Sequence, residues 1–190
     1  TPLYSSAASD VYKRQLFDGT GDYLSTPDSD DWDFGTGAWT VDFWARRSGL
    51  APEYGGIVGT RLLSPALGWT ISWSGEPNRN RIVLRVAGTD VLTSSTDIAD
   101  LTWTHVAVVR SGNTVTMYFD GSSVGTWDAT GQSINSGGSG LVIGRFFVDY
   151  DGYYASGWYD ECRVSKGVAR WTSNFTPPTS AYSRDLNINQ

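Results

Sequence analysis

Cysteine, methionine and histidine each occur once in these 190 residues, and glutamate only three times. A lone Cys162 forms no intramolecular disulfide, so the core must hold the fold, and cysteine usage says nothing about compartment. Basic residues are also few, 14 Lys and Arg against 20 Asp and Glu, for a formal charge of −6. A phosphate backbone needs a basic stripe, which excludes nucleic acid as the main partner. No apolar run approaches a membrane span, and the first residues do not read as a signal peptide. Helix formers of the Ala/Leu/Glu/Lys type are sparse.

What the chain has in abundance is ring and turn chemistry: 9 Trp, 10 Tyr, 7 Phe and 22 Gly. With frequent Thr and Val, these favour strands joined by tight turns. Residues 1–15 lack the alternation seen from Leu16 onward and are set apart as a leader without functional weight. Residues 16–180 read as one all-β domain, and 181–190 as a tail. Apolar-alternating runs at 38–48, 56–61, 68–74, 81–87, 103–110, 113–120, 141–145 and 157–165 are expected strands. In 38–48, Trp39, Val41, Phe43 and Ala45 face one way and Thr40, Asp42, Trp44 and Arg46 the other. Ser111-Gly112-Asn113 and Asp120-Gly121 are hairpin turns. Residues 166–171 are the one expected helical turn, 136–140 (SGGSG) a flexible loop, and Pro177-Pro178 the end of ordered sheet.

The blocks LFDGTGDYLSTPDS, GAWTVDFWARR, WTHVAVVR, VTMYFDGSSVG, LVIGR and YDECRVSKGVARWTSNFTPP resemble, in order, laminin-G-like domains of the concanavalin A-like superfamily. They span about residues 16–180 and together make a specific match. The resemblance implies a jelly-roll sandwich of two antiparallel sheets. It also implies kinship with modules of bacterial and phage proteins, hence an extracellular, cell-surface or virion setting. The fold hosts lectins, adhesion modules and glycanases, so it does not settle function.

Glycanase chemistry needs two paired carboxylates. Related laminarinase-type enzymes carry them as Glu-x-Asp-x-x-Glu on one strand face. Here Glu53, Glu76 and Glu161 are scattered, and the adjacent Asp160 and Glu161 point to opposite faces of a strand. An Asp-based site built from loops stays open. Gly121-Ser122-Ser123-Val124-Gly125 matches G-x-S-x-G, but a nucleophile elbow sits between strand and helix. Here it lies between strands and reads as a turn. His105 has apolar neighbours on both strand faces and reads as packed and hydrogen-bonded. Cys162 reads as a small buried hydrophobe.

Seven aspartates fall between positions 18 and 42, yet DSDDWDFG lacks EF-hand spacing and a closing Glu. The resemblance implies one structural Ca²⁺, which by position would use Asp18, the Gly21 carbonyl, Asp22 and Asp160. The alternative is that these aspartates cap turns.

Exposed aromatics stack on sugar C–H faces while polar neighbours bond the hydroxyls. Two groups qualify. Trp69 and Trp73 share a strand face, and Phe146, Asp149, Tyr150, Asp151, Tyr153 and Tyr154 lie in one aromatic loop. The leading expectation is a non-catalytic module binding a glycan or a protein partner. A purely structural virion or fibre subunit, part of a homo-oligomer or larger assembly, is the alternative, and an atypical glycanase the third.

Overall fold

The alternation in Trp39–Arg47 produces what it implies: Trp39, Val41, Phe43 and Ala45 are buried in one continuous apolar cluster with residues of a facing sheet. The computed structural model describes residues 14–49 and 53–182. Most of the leader and most of the tail lie outside the described residues.

Two six-stranded antiparallel sheets make the sandwich. In the first, the spatial order is β1 (Gln15–Asp18), β12 (Ser156–Lys166), β3 (Trp39–Arg47), β8 (Thr104–Ser111), β9 (Thr114–Phe119) and β10 (Ser122–Asp128). In the second it is β2 (Leu24–Ser25), β11 (Val142–Ile143), β4 (Gly56–Gly59), β5 (Trp69–Trp73), β6 (Ile82–Val86) and β7 (Thr89–Thr93). All eight expected strands are present, with ends moved by a few residues. The short β1 and β2 and the polar β7 and β10 were not among them. Their neighbours in the sheet, rather than a run of their own, hold them extended.

Both expected hairpins form. Ser111 faces Thr114 across Gly112-Asn113, and Phe119 faces Ser122 across Asp120-Gly121. Asp120 and Gly121 have φ of 46° and 78°, as a two-residue turn matching the strand twist requires. The G-x-S-x-G match is thus a turn followed by a strand. The expected helical turn at 166–171 is absent. Gly167 takes φ 80°, and Thr40 Oγ1 donates to the Val168 carbonyl and accepts from the Arg170 amide. The backbone is satisfied by β3 instead of by its own next turn. The SGGSG loop is not a free segment either. Ser136 and Ser139 are buried, and Ser139 Oγ donates to the carbonyls of Thr60 and Ser136.

Each sheet is covered on its outer face as well. Residues 167–182 run across the first sheet, where Ala169, Trp171 and Phe175 pack on Ala107, Val109 and Tyr118. The Phe175 amide donates to the Gly121 carbonyl at 3.0 Å, and a side chain at Gly121 would strike that segment's backbone. On the second sheet, the segment after β11 crosses directly over Gly56, where a Cβ would sit 2.2 Å from Phe146 Cα.

Trp69 and Trp73 belong to the inner core, 1 % and 0 % exposed, which overturns their expected role as ligand contacts. Their indole N–H groups are satisfied inside the protein, by the Trp32 carbonyl (3.1 Å) and the Tyr159 hydroxyl (2.7 Å). Trp73→Ala should therefore lower unfolding stability by about 3–5 kcal/mol, whereas Tyr150→Ala should leave it within about 1 kcal/mol. Denaturant titration of both variants checks this, and equal, small losses would place Trp73 at the surface.

Candidate functional site

Of the loop residues singled out by sequence, the fold brings Phe146, Tyr150 and Tyr153 together and directs the others elsewhere. After β11 the chain passes Gly144, whose φ is 91° and whose missing Cβ leaves room for the Phe17 ring. It then lies on the outer face of the second sheet. Phe146 and Phe147 are buried there with ring centroids 4.6 Å apart. Tyr150 and Tyr153 pack on Phe147 at 5.9 and 6.0 Å but stay 44 % and 46 % exposed. Tyr54, from the turn before β4, closes the group edge-on to Tyr153 at 6.1 Å.

These rings, with Arg61, Leu63 and Arg85, line a cleft of about 410 Å³. That is within the range of small-molecule sites, apolar with a few placed polar groups. Tyr54 and Tyr153 both hold left-handed backbone, φ 56° and 54°. For a bulky residue this costs on the order of 1–3 kcal/mol, and such strain concentrates at functional sites. The Tyr153 carbonyl accepts from the Gly56 amide at 3.0 Å, tying the rim to β4.

Sequence alone did not single out the arginines of the cleft. On β6, Ile82 and Leu84 point into the core, so Arg85 points out beneath the cleft. Its Nε lies 2.5 Å from Asp90 Oδ1, its Nη2 donates to Asp90 Oδ2 at 3.1 Å, and its Nη1 donates to Ser72 Oγ. Arg61 follows β4 and places its guanidinium carbon 5.0 and 5.1 Å from the Phe146 and Phe147 ring centroids. Burial, and then the nearby Arg85, lower the Arg61 pKa from its ordinary value. Period-two alternation would have placed Arg85 on the outer face, but nothing local marks Arg61.

The remaining loop residues do other work. Asp149 lies at the rim and accepts from the Leu63 amide at 2.8 Å, and Asp151 accepts from the Tyr154 hydroxyl. Tyr154 leans toward Tyr23, 6.4 Å away, outside the cleft.

The expected calcium ligands do not come together. Asp18 Oδ1 accepts from the Thr20 amide at 2.7 Å and Asp22 Oδ2 from the Asp18 amide at 3.3 Å. That is the turn-capping alternative, with Gly21 in the same turn at φ 80°. Asp160 is elsewhere: Asp18 faces Ser156, four positions along β12, roughly 13 Å at the rise of a strand. Among the described residues no three acidic, His or Cys side chains gather as metal ligands.

A second polar cluster sits on the other sheet. Asp42 is fully buried and receives Arg163 Nε and Nη2 at 3.0 and 2.9 Å, together with the Tyr182 hydroxyl. His105 Nε2 lies 3.2 Å from that hydroxyl, and the ring is fully buried against Trp44 and Trp171, so it is packed as expected. A bulge in β12 makes the pairing possible. Asp160 faces Trp44, yet Arg163 rather than Cys162 faces Asp42, and Glu161 takes φ 50°. The expected simple alternation through Asp160 and Glu161 is broken at this point. Cys162 is turned to pack against the core, and burial pushes its thiol up to about 12. Glu161 Oε2 in turn accepts from the Tyr182 amide at 2.8 Å. The cluster fastens residues 167–182 to the sheet.

A family model of the concanavalin A-like lectin/glucanases superfamily matches residues 18–172, most of the chain. The chain belongs to that superfamily. Solved structures share the sandwich at low sequence identity. A Bacteroides ovatus protein inferred to bind carbohydrate gives a TM-score of 0.65 at 15 % identity, over 84 % of this chain and 44 % of that one. Domain 4 of the extracellular GH43 arabinanase AbnA from Geobacillus stearothermophilus, in complex with arabinotriose, gives 0.59 at 16 %, over 81 % and 70 %. The heptameric SAP-like pentraxin of Limulus polyphemus gives 0.55 at 17 %, over 86 % and 77 %. This chain thus spans less than half of the Bacteroides protein. No curated protein matches it.

Burial alone would raise the Asp42 carboxyl, but bonds from His105, Arg163 and Tyr182 outweigh it and hold the group below its usual 3.8. A carboxyl lowered on folding contributes stability above its unfolded value, which is lost as pH falls through the folded one. The melting temperature should therefore drop as pH falls below about 4, and less steeply in Asp42→Asn. Identical acid slopes in the two proteins would exclude Asp42 as a source.

Proposed function

We propose that this domain is a non-catalytic glycan-binding module whose combining site is the cleft between Tyr54, Phe146, Phe147, Tyr150 and Tyr153. The observation that carries the reading is the pair of half-exposed tyrosine rings, Tyr150 and Tyr153, over a buried Phe146–Phe147 floor, with Tyr54 and Tyr153 held in strained backbone. Rings fixed in this way offer flat apolar faces to sugar C–H groups at little cost in lost side-chain freedom. The similarity to a structure holding arabinotriose and to an inferred carbohydrate-binding protein supports the same direction.

Absence of catalysis is part of the proposal. The residues lining the cleft include no carboxylate. Nearby Asp90 is engaged by Arg85, and Asp149 caps the Leu63 amide. A glycosidase needs an acid and a nucleophile or base facing one bond. We place the module outside the cell, on a cell surface or a virion, where polysaccharide is met. Calcium plays no part in this reading, and binding should persist in chelator.

A glycan array followed by affinity electrophoresis tests the reading. The wild-type domain should be retained by at least one polysaccharide, with and without EDTA, and Tyr150→Ala/Tyr153→Ala should weaken retention about tenfold or more, or ~1.4 kcal/mol. Unchanged retention in the folded double variant would exclude the cleft. Loss of self-assembly without loss of glycan retention would favour a structural subunit.

A further inference from the structure

Arg61 is held in place with no acceptor among the described residues. Its own segment is pinned: the Arg61 carbonyl accepts from the Val148 amide at 2.9 Å, and the Leu62 and Leu63 amides donate to the Leu67 carbonyl and to Asp149. The guanidinium leaves this anchored backbone and lies against the Phe146 and Phe147 rings. Its Nε and Nη1 are shielded from solvent and donate to nothing among the described residues.

Two other arginines, Arg110 and Arg85, buried on their sheets, are matched instead. Arg110 donates to the carbonyls of Gly112, Gly35, Gln132 and Ala129 at 2.8 to 3.1 Å. Arg85 is matched by Asp90 and Ser72. A half-buried charge without acceptors is costly, and the aromatic faces offset only part of that cost. Arg85 cannot relieve it, being of the same sign; Asp90 attracts Arg61 without bonding it, because its oxygens are held by Arg85, and Asp149 accepts from the Leu63 amide. The described residues supply no acceptor, and the cleft is the side from which a ligand can supply one.

We infer that the ligand is an acidic glycan, and that Arg61 receives the carboxylate of a uronic acid residue while Tyr150 and Tyr153 hold its ring. This rests on the glycan-binding reading and narrows its substrate class. A carboxylate offers two coplanar oxygens to the guanidinium fork, which the single oxygen of a hydroxyl or hydroxymethyl group does not. The chain's overall negative charge works against any polyanion at long range, so selectivity has to come from this contact and not from a diffuse basic surface.

The test compares matched polymers. Binding of the whole domain to polygalacturonate, alginate and hyaluronan is measured by isothermal titration. Carboxyl-reduced polygalacturonate and dextran sulfate serve as controls. At least one uronate polymer should bind about tenfold more tightly than the neutral reduced polymer and than dextran sulfate. Arg61→Gln should abolish that preference without lowering the melting temperature, and Arg61→Lys should restore only part of it, because the charge returns without the fork. Equal affinity for acidic and reduced polymers, or an unaltered preference in a folded Arg61→Gln variant, would overturn the acidic assignment and leave glycan binding standing. Dextran sulfate binding as well as the uronates would overturn the carboxylate assignment. Binding to no polymer of any charge would overturn both readings.

Discussion

The packing of Trp39, Trp69 and Trp73 between the two sheets sets what every other residue of those strands can do. Once the three indoles face inward, strict alternation sends Asp42 and Trp44 to one outer surface and Thr70 and Ser72 to the other, where Arg85 of the neighbouring β6 joins them. Each outer surface is covered at these positions. Ser72, Thr70, Asp42 and His105 are all fully buried, although they face away from the central core. Two further layers are therefore required, and the chain supplies them as the segments 144–155 and 167–182.

The two covers meet opposite requirements. Over the first sheet the polar groups are closed into a network, with Asp42 neutralised by Arg163 and both tied to Tyr182. The bulge in β12 delivers Arg163 to that position. Over the second sheet the cover is aromatic and incomplete. Arg85 is neutralised by Asp90, whereas Arg61 lies half-buried against two rings and has no acceptor among the described residues. A satisfied network fixes structure, and an unsatisfied charge beside exposed rings is poised for a ligand. That difference in electrostatic closure is why the cleft under Tyr150 and Tyr153, and not the equally polar cluster at Asp42, carries the functional reading.

Much of the sandwich was legible along the chain. The eight principal strands, both two-residue hairpins and the packed His105 follow from alternation and turn chemistry. The loop at 146–154 stood out because its aromatics had no strand-like spacing to explain them. Less legible were contacts whose partners are distant in sequence. Trp69 and Trp73 have the composition of a sugar platform, and only the facing sheet shows that they are core. The capping of Asp18 and Asp22 within one turn was readable as an alternative, but the distance to Asp160 required the register of β1 against β12.

By itself, then, the sequence determined an all-β sandwich of the concanavalin A-like kind and the absence of a paired-glutamate catalytic device. Period and composition are local properties, and they fix which residue types alternate and where the chain turns. Only the tertiary structure decided which aromatic face is exposed, which aspartates meet which arginines, and that Arg61 stands without an acceptor among the described residues. Those outcomes depend on strand register, on one extra residue at Glu161 and on the path of two covering segments, none of which leaves a periodic trace in the chain.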